Sequence, residues 1–98
     1  MSPTYEPSPT FTRDLGRLTS AQRKQFLLAV QDLIADLNRG QGFRKGLRVK
    51  RVQSTTGVFE MTWAPDGRAT WQYGPEVVAG QPHVIWRRIG THDIFRQP

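Results

Sequence analysis

The sequence predicts a small α+β domain in which two N-terminal helices pack on one face of a four-stranded antiparallel sheet. Apolar residues first recur with the period of an amphipathic helix, about 3.6 residues, and after Gly46 they alternate as in strands. The connections between the later segments are short, which favours an antiparallel meander. A chain of 98 residues has the length of one domain.

The N-terminal segment, residues 1–10, contains three prolines and several hydroxyl side chains, which is typical of a flexible tail. We therefore expect the single folded domain to span residues 11–98. Its first helix is expected from Phe11, because Phe11, Leu15 and Leu18 fall on one helical face.

A second, stronger helix follows. Thr19 is the expected N-cap, and Gln22 three residues later completes a capping-box pattern. Gly40 and Gly42 are expected to end the helix. Its apolar face, which Leu27 is expected to widen, consists of Phe26, Ala29, Val30, Leu33, Ile34 and Leu37.

Strands are predicted over residues 47–54, 58–64, 68–73 and 84–89, with a Pro65-Asp66-Gly67 turn between the second and third. Alternation gives an apolar face toward the helices, which includes Ile85 and Ile89. The other face is polar and carries Trp86 and four cations: Arg48, Lys50, Arg68 and Arg88. Like charges on neighbouring strands repel each other, so a bound polyanion would reduce the repulsion on this face. The alternative is a face that is simply solvated.

The charge balance also points to a polyanion. Fourteen Lys and Arg oppose eight Asp and Glu, giving a net charge of +6 and a sequence pI near 10.8. Most of the cations are arginines, whose planar guanidinium groups bind phosphate with two hydrogen bonds. This composition is typical of nucleic-acid-binding domains, with basicity for solubility as the alternative.

The absence of cysteine excludes a disulfide framework and a thiolate metal site. No stretch has the length of a membrane span, and no secretory signal is evident, so we expect a cytoplasmic location and no membrane partner. We find no His, Cys, Asp and Glu set at metal-ligand spacing, so no metal and no other cofactor is expected.

Metal-free cleavage of RNA is chemistry that these residues can support. The 2′-OH attacks the adjacent phosphate, which requires a base, an acid and cations. His92 is the best acid or base, because imidazole exchanges protons near neutral pH; the alternative is a surface or capping histidine. Arg88 and Arg68 are candidates for phosphate stabilisation, or for rim salt bridges. Glu60 could act as a base, or position Arg68 or Lys50.

Other residues could hold the RNA. Arg48, Lys50 and Arg51 are expected to follow its backbone, with a solvated basic strand as the alternative. Phe95 could stack on a base, which contributes about 1–3 kcal/mol, or could tuck the C-terminal end onto the core. We do not pair His92 with its neighbour Asp93, which is expected to point elsewhere. The other histidine, His83, is expected to be structural or exposed.

Four segments carry a resemblance to a known family. They are LRVKRV at 47–52, VFEMTW at 58–63, Gly67-Arg68-Ala69, and WRRIGTHDIF at 86–95. Together with the element order, they resemble the RelE/ParE superfamily of toxin–antitoxin toxins over residues 11–95. The last segment is similar to the Arg-x-Gly-(Ser/Thr)-His ending of the YafQ-like branch. Those toxins usually open with a β-strand, so we expect this first strand to be missing or supplied by a partner.

The resemblance implies a toxin that cleaves mRNA, ribosome-bound or free, and that a cognate antitoxin neutralises. It would meet DNA only indirectly, through the antitoxin. The residues that match the family ending are Arg88 and His92. Two alternatives stay open: a non-enzymatic inhibitor of DNA gyrase, as in the ParE branch, and a basic nucleic-acid-binding module without toxicity.

Overall fold

The structure is a computed structural model that describes residues 3–98. Its five strands form one mixed sheet in the order β1-β5-β4-β3-β2. No helix among residues 3–98 combines the length and apolar character needed to cross a membrane. The elements are β1 (Thr4–Pro7), α1 (Pro9–Gly16), α2 (Ser20–Arg39), β2 (Lys50–Arg51), β3 (Val58–Ala64), β4 (Gly67–Gly74) and β5 (His83–Gly90), with 3-10 helices at Lys45–Leu47 and His92–Arg96.

The first strand of the sheet is present, so the prediction that it is missing was wrong. β1 pairs in parallel with β5, and residues 4–7 lie in the sheet rather than in a tail. The prolines that suggested a tail are compatible with an edge strand, where a missing N–H is tolerated. His83 is buried and fixes this edge, because its ring nitrogens lie 2.7 Å from Thr4 Oγ1 and 2.7 Å from Glu6 Oε1. The sheet is therefore five-stranded and mixed, not four-stranded and antiparallel.

The long helix α2 has the predicted ends. The Thr19 hydroxyl accepts from the Gln22 backbone, the Gln22 side chain accepts from the Thr19 backbone, and Gly40 closes the helix with φ +66°. The expectation that Leu27 widens the buried face was wrong. Leu27 is 60% exposed and Leu28 is 56% exposed. The buried stripe of α2 is confined to Phe26 and the positions that follow it at the helical period.

The core lies between the helices and one face of the sheet. Trp86, which alternation placed on the polar face, is 5% exposed and packs in this core at 5.6 Å from the Phe11 ring. The reason is a β-bulge: Thr70 pairs with Arg88 but Trp71 pairs with Trp86, so Arg87 is an extra residue without a partner in β4. The bulge turns Trp86 into the core.

The same bulge moves Ile85 to the far side of the sheet, where it pairs with Gln72. Its predicted place on the apolar face was wrong for the same reason. Arg87 and Arg88 lie next to each other on this far side, although strict alternation predicts that they point apart. An inserted residue in one strand reverses the alternation of every residue beyond it.

The first predicted meander strand is much shorter than expected. Only Lys50 and Arg51 pair with β3, opposite Glu60 and Phe59 respectively. Arg48 lies outside the sheet in a left-handed conformation, with φ +50°, at the end of a 3-10 helix. Directly paired residues share a face, so Lys50 joins Glu60 on the far side and Arg51 lies with Phe59 on the helix side.

Candidate functional site

The chain leaves β5 at Gly90 and folds back over the far face of the sheet. Thr91 caps the 3-10 helix His92–Arg96, and its hydroxyl accepts from the Asp93 backbone N–H. Ile94 is 4% exposed and anchors this turn against Gly90, where a Cβ atom would come within 3.0 Å of Ile94 Cγ2. Ile94 therefore holds the C-terminal segment to the sheet and leaves His92 accessible.

His92 is paired with an acidic side chain from another part of the chain. Its Nδ1 lies 2.8 Å from Oδ1 of Asp66, which belongs to the turn between β3 and β4. Because a carboxylate can only accept, Nδ1 donates in this hydrogen bond and Nε2 is the nitrogen left to accept a proton. Both side chains are more than half exposed. Asp66 was recognised in the sequence only as part of a turn signal, which says nothing about its distant partner.

Arg68 and Phe95 lie around this pair. The Arg68 guanidinium folds over the same β3–β4 turn, where Nη1 donates to the backbone carbonyls of Pro65 and Gly67. The Phe95 ring lies 5.8 Å from the His92 ring, centroid to centroid, and is only partly buried. The structure thus brings His92, Arg68 and Phe95 to one end of the sheet, together with Asp66.

Arg88 is directed elsewhere. Its Nε donates to Asp14 Oδ2 at 2.6 Å and its Nη2 to Asp14 Oδ1 at 3.3 Å, while the Ile89 backbone N–H donates to the same carboxylate at 3.3 Å. Asp14 belongs to α1 and is 4% exposed. The ion pair turns the guanidinium toward α1 and away from the turn that holds His92. The expectation that Arg88 and His92 act on one phosphate is not supported by this arrangement.

Glu60 lies in the middle of the far face. Its side chain is 12% exposed, and Lys50 Nζ lies 3.9 Å from Glu60 Oε1. Glu60 pairs with Thr70, whereas Arg68 pairs with Thr62 one row nearer to the turn. Glu60 is thus placed to position Lys50. Of the three predicted backbone-binding cations, Lys50 is on this face, whereas Arg48 is off the sheet and Arg51 is on its helix side.

Residues 3–98 hold no group of three or more His, Cys, Asp or Glu side chains arranged to bind a metal ion. The acid–base groups at the turn are His92 and Asp66, and the guanidinium of Arg68 binds backbone carbonyls of the same turn. His92 and Asp66 can together take a proton from a hydroxyl group, and Arg68 can stabilise a negative charge that develops beside them.

Solved structures define the class of this fold, although no family model and no curated protein matches the chain. The toxin–antitoxin complex DinJ–YafQ from E. coli aligns at 16% identity and TM-score 0.61, over 95% of this chain and 96% of that chain. The YoeB/ParE toxin from Agrobacterium tumefaciens aligns at 12% identity and TM-score 0.63, over 91% and 98%. The RelB–RelE antitoxin–toxin complex from Methanococcus jannaschii aligns at 14% identity and TM-score 0.59, over 93% and 94%.

These similarities show that the chain has the fold of the RelE/ParE toxins. It spans nearly the full length of each matched chain. The YafQ-like resemblance of the sequence is thereby confirmed at the level of the fold.

Proposed function

We propose that this protein is the toxin of a type II toxin–antitoxin system and an endoribonuclease that cleaves mRNA, ribosome-bound mRNA in particular, without a metal. The observation that carries the proposal is the exposed His92–Asp66 pair in a RelE/ParE fold, at the end of the sheet where Arg68 also lies. A solvent-accessible imidazole held by a carboxylate is a general base with a fixed tautomer.

The proposed reaction needs no covalent protein intermediate. Nε2 of His92 takes the proton of the RNA 2′-OH, whose oxygen attacks the adjacent phosphorus. The bond from phosphorus to the 5′-oxygen breaks, and that oxygen takes a proton from water, which gives a 5′-hydroxyl and a 2′,3′-cyclic phosphate. Asp66 stabilises the imidazolium that forms, as an acceptor beside a charged histidine does in other enzymes. Arg68 stabilises the charge on the phosphorane.

Substrate binding uses the groups around the pair. Phe95, beside the His92 ring, is the proposed platform for a base, and base stacking of this kind contributes about 1–3 kcal/mol. Lys50, with its side chain 69% exposed, follows the RNA backbone across the far face. Glu60 positions Lys50 through their 3.9 Å contact rather than taking the hydroxyl proton.

The proposed partners follow from the same fold. Two of the structures with this fold are complexes of a toxin with its antitoxin. We propose a cognate antitoxin for this chain as well, with contact to DNA only through that antitoxin, in the cytoplasm. The ParE-like alternative is a non-enzymatic gyrase inhibitor. It does not account for the His92–Asp66 pair, because such a module needs no acid–base group.

The decisive experiment compares His92→Ala and Asp66→Asn with the parent on a synthetic RNA and on mRNA in translating ribosomes. Loss of acid–base catalysis lowers the cleavage rate by roughly 10²- to 10⁴-fold for His92→Ala, and Asp66→Asn gives a smaller loss. Asp93→Asn is the matched control, since that carboxylate adjoins His92 in sequence, whereas the hydrogen-bond partner of His92 is Asp66.

Circular dichroism and antitoxin binding should be unchanged in all three variants. Cleavage by His92→Ala at the parental rate would show that the catalytic assignment is wrong. DNA double-strand breaks on expression, with intact mRNA, would establish the gyrase alternative instead.

A further inference from the structure

A second cationic site lies on the far face of the sheet, on the side toward α1. It is a cavity of about 330 Å³, and three of its nine lining residues are arginines: Arg13, Arg87 and Arg88. None of the nine is Asp or Glu. We propose that this cavity is a phosphate subsite, in which Arg87 and Arg13 bind a backbone phosphate of the RNA that flanks the cleaved bond. The identity of the phosphate carrier rests on the proposed function.

The three arginines are not equally engaged. The guanidinium of Arg88 forms an ion pair with the carboxylate of Asp14. Arg13 and Arg87 form no ion pair with an Asp or Glu side chain of residues 3–98. Two guanidinium groups that face one cavity without an acidic side chain between them repel each other, and a bound anion relieves that repulsion. The cavity is thus complementary to a negatively charged group.

The cavity already shows where such a group would bind. Arg87 Nε donates to the backbone oxygen of Pro98 at 3.0 Å, and the hydroxyl of Thr70 donates to the same oxygen at 3.0 Å. Arg88 Nη1 donates to the backbone oxygen of Gln97 at 3.1 Å. Thr70 has 0% exposure, so this hydroxyl is a buried polar group aimed at the acceptor.

A phosphate oxygen in the place of the Pro98 oxygen would meet the same two donors. A hydrogen bond between a guanidinium and an anionic oxygen is about twice as strong as one between two neutral groups. Residues 97–98 therefore act as a strap that occupies the subsite with oxygen acceptors and that a phosphate can displace.

The β-bulge is what builds this site. In a regular strand, Arg87 would point into the helix side, and only Arg88 would face the cavity. Because the extra residue is Arg87 itself, its side chain reaches Gln72 Oε1 and Pro98 on the far face. Bulges are common next to functional sites, where they redirect a side chain in this way.

The subsite is separate from the proposed site of cleavage. Arg87 and Thr91, which caps the turn with His92, are four positions apart, so their Cα atoms are roughly 13 Å apart at about 3.3 Å per residue. Their side chains also have different partners: Arg87 donates to Gln72 and Pro98, whereas His92 pairs with Asp66. Arg87 is therefore expected to act on RNA affinity and KM, and not on the chemical step.

The test uses an RNA-sequence oligonucleotide with 2′-O-methyl groups, which has no 2′-OH and cannot be cleaved. R87Q should weaken its binding to the full chain by about tenfold or more, the usual effect of losing a hydrogen bond to a charged group. The slope of log affinity against log salt should fall by about 0.7, the value for one phosphate contact on a single strand. R23Q, which removes an exposed cation of α2 with the same charge change, is the matched control.

A second measurement does not depend on RNA. Inorganic phosphate, titrated into the full chain, should shift the NMR signal of the Arg87 Nε–H, and removal of residues 97–98 should make this response occur at lower phosphate concentration. Tryptophan fluorescence of R87Q checks that the fold is kept, and R13Q provides a second variant on the other wall of the cavity.

Each outcome has one meaning. If R87Q binds the oligonucleotide as R23Q does and phosphate leaves the Arg87 signal unmoved, the subsite is wrong. If phosphate shifts the signal but R87Q does not weaken oligonucleotide binding, the ligand is a free phosphate group and the backbone assignment is wrong. If the parent cleaves no RNA while phosphate still shifts the signal, the proposed function fails and the anion site stands.

Discussion

Replacing Arg88 by methionine tests whether this arginine belongs to the fold or to the site. The change keeps most of the side-chain length and removes the guanidinium that is bound to Asp14. The carboxylate is 4% exposed and would keep only the Ile89 backbone N–H as a donor at 3.3 Å. A buried charge that has lost its partner is strongly destabilising.

The magnitude follows from this burial. Breaking a buried ion pair by removing one member costs about 3–5 kcal/mol. The Arg88 side chain is 20% exposed, so we expect the lower end of that range. A loss of about 3 kcal/mol is a large part of the roughly 5–15 kcal/mol that stabilises a typical domain. It corresponds to a decrease in Tm of about 12–24 °C for a domain of this size.

The assay is urea unfolding followed by tryptophan fluorescence, with R87M as the matched control. Arg87 lies beside Arg88 on the same face, but its hydrogen-bond acceptors are oxygens of Gln72 and Pro98 and not an Asp or Glu side chain. Its loss should cost about 1 kcal/mol, as for an ordinary hydrogen bond. The double variant D14N/R88M should recover most of the stability lost in R88M, because no buried charge remains. The reasoning is refuted if R88M lies within about 1 kcal/mol of the parent, or if D14N/R88M is no more stable than R88M.

Two further predictions concern stability. G67A should lower the free energy of unfolding by about 1–3 kcal/mol through overpacking, because a Cβ atom at Gly67 would lie 2.6 Å from the Trp63 ring. G46A should change the stability little, because a Cβ atom at Gly46 would meet nothing within 4 Å. Thermal unfolding compares the two variants. Hydrogen bonds from the Arg44 side chain lower the pKa of Asp36 from 3.8 to about 2. The contribution of the Asp36 carboxylate to the free energy of unfolding is therefore full above pH 3.8 and is lost as the pH falls toward 2. The stability difference between the parent and D36N should therefore shrink over that range in acid unfolding, and a constant difference would contradict this account.

Local patterns predicted the elements whose signals are local. The capping box of α2 uses two residues three apart, Thr19 and Gln22, and both hydrogen bonds are present as expected. The turn at Pro65-Asp66-Gly67 joins β3 to β4 as the turn chemistry requires. In each case a few neighbouring residues determine the backbone, so the sequence alone carries enough information.

Contacts between distant parts of the chain could not be predicted in this way. β1 depends on pairing with a strand 79 residues away, as in the contact of Thr4 with His83, and its own composition resembles a tail. The partner of His92 is Asp66, 26 residues earlier. Nothing in either local sequence indicates the other residue.

The bulge in β5 makes the strand depart from the alternation that its sequence predicts. The same bulge also shapes the cavity that we propose to be functional. Trp86 and Ile89 are three apart, a spacing that alternation forbids for one face, yet both are buried in the core. Only an extra residue between them reconciles these positions, and that residue is Arg87. Gly90, two residues after Arg88, lies on the far face in regular register, and Ile94 packs against it where the chain turns toward His92. The packing of Trp86 in the core and the position of Arg87 in the arginine cavity therefore depend on a single irregularity of the strand.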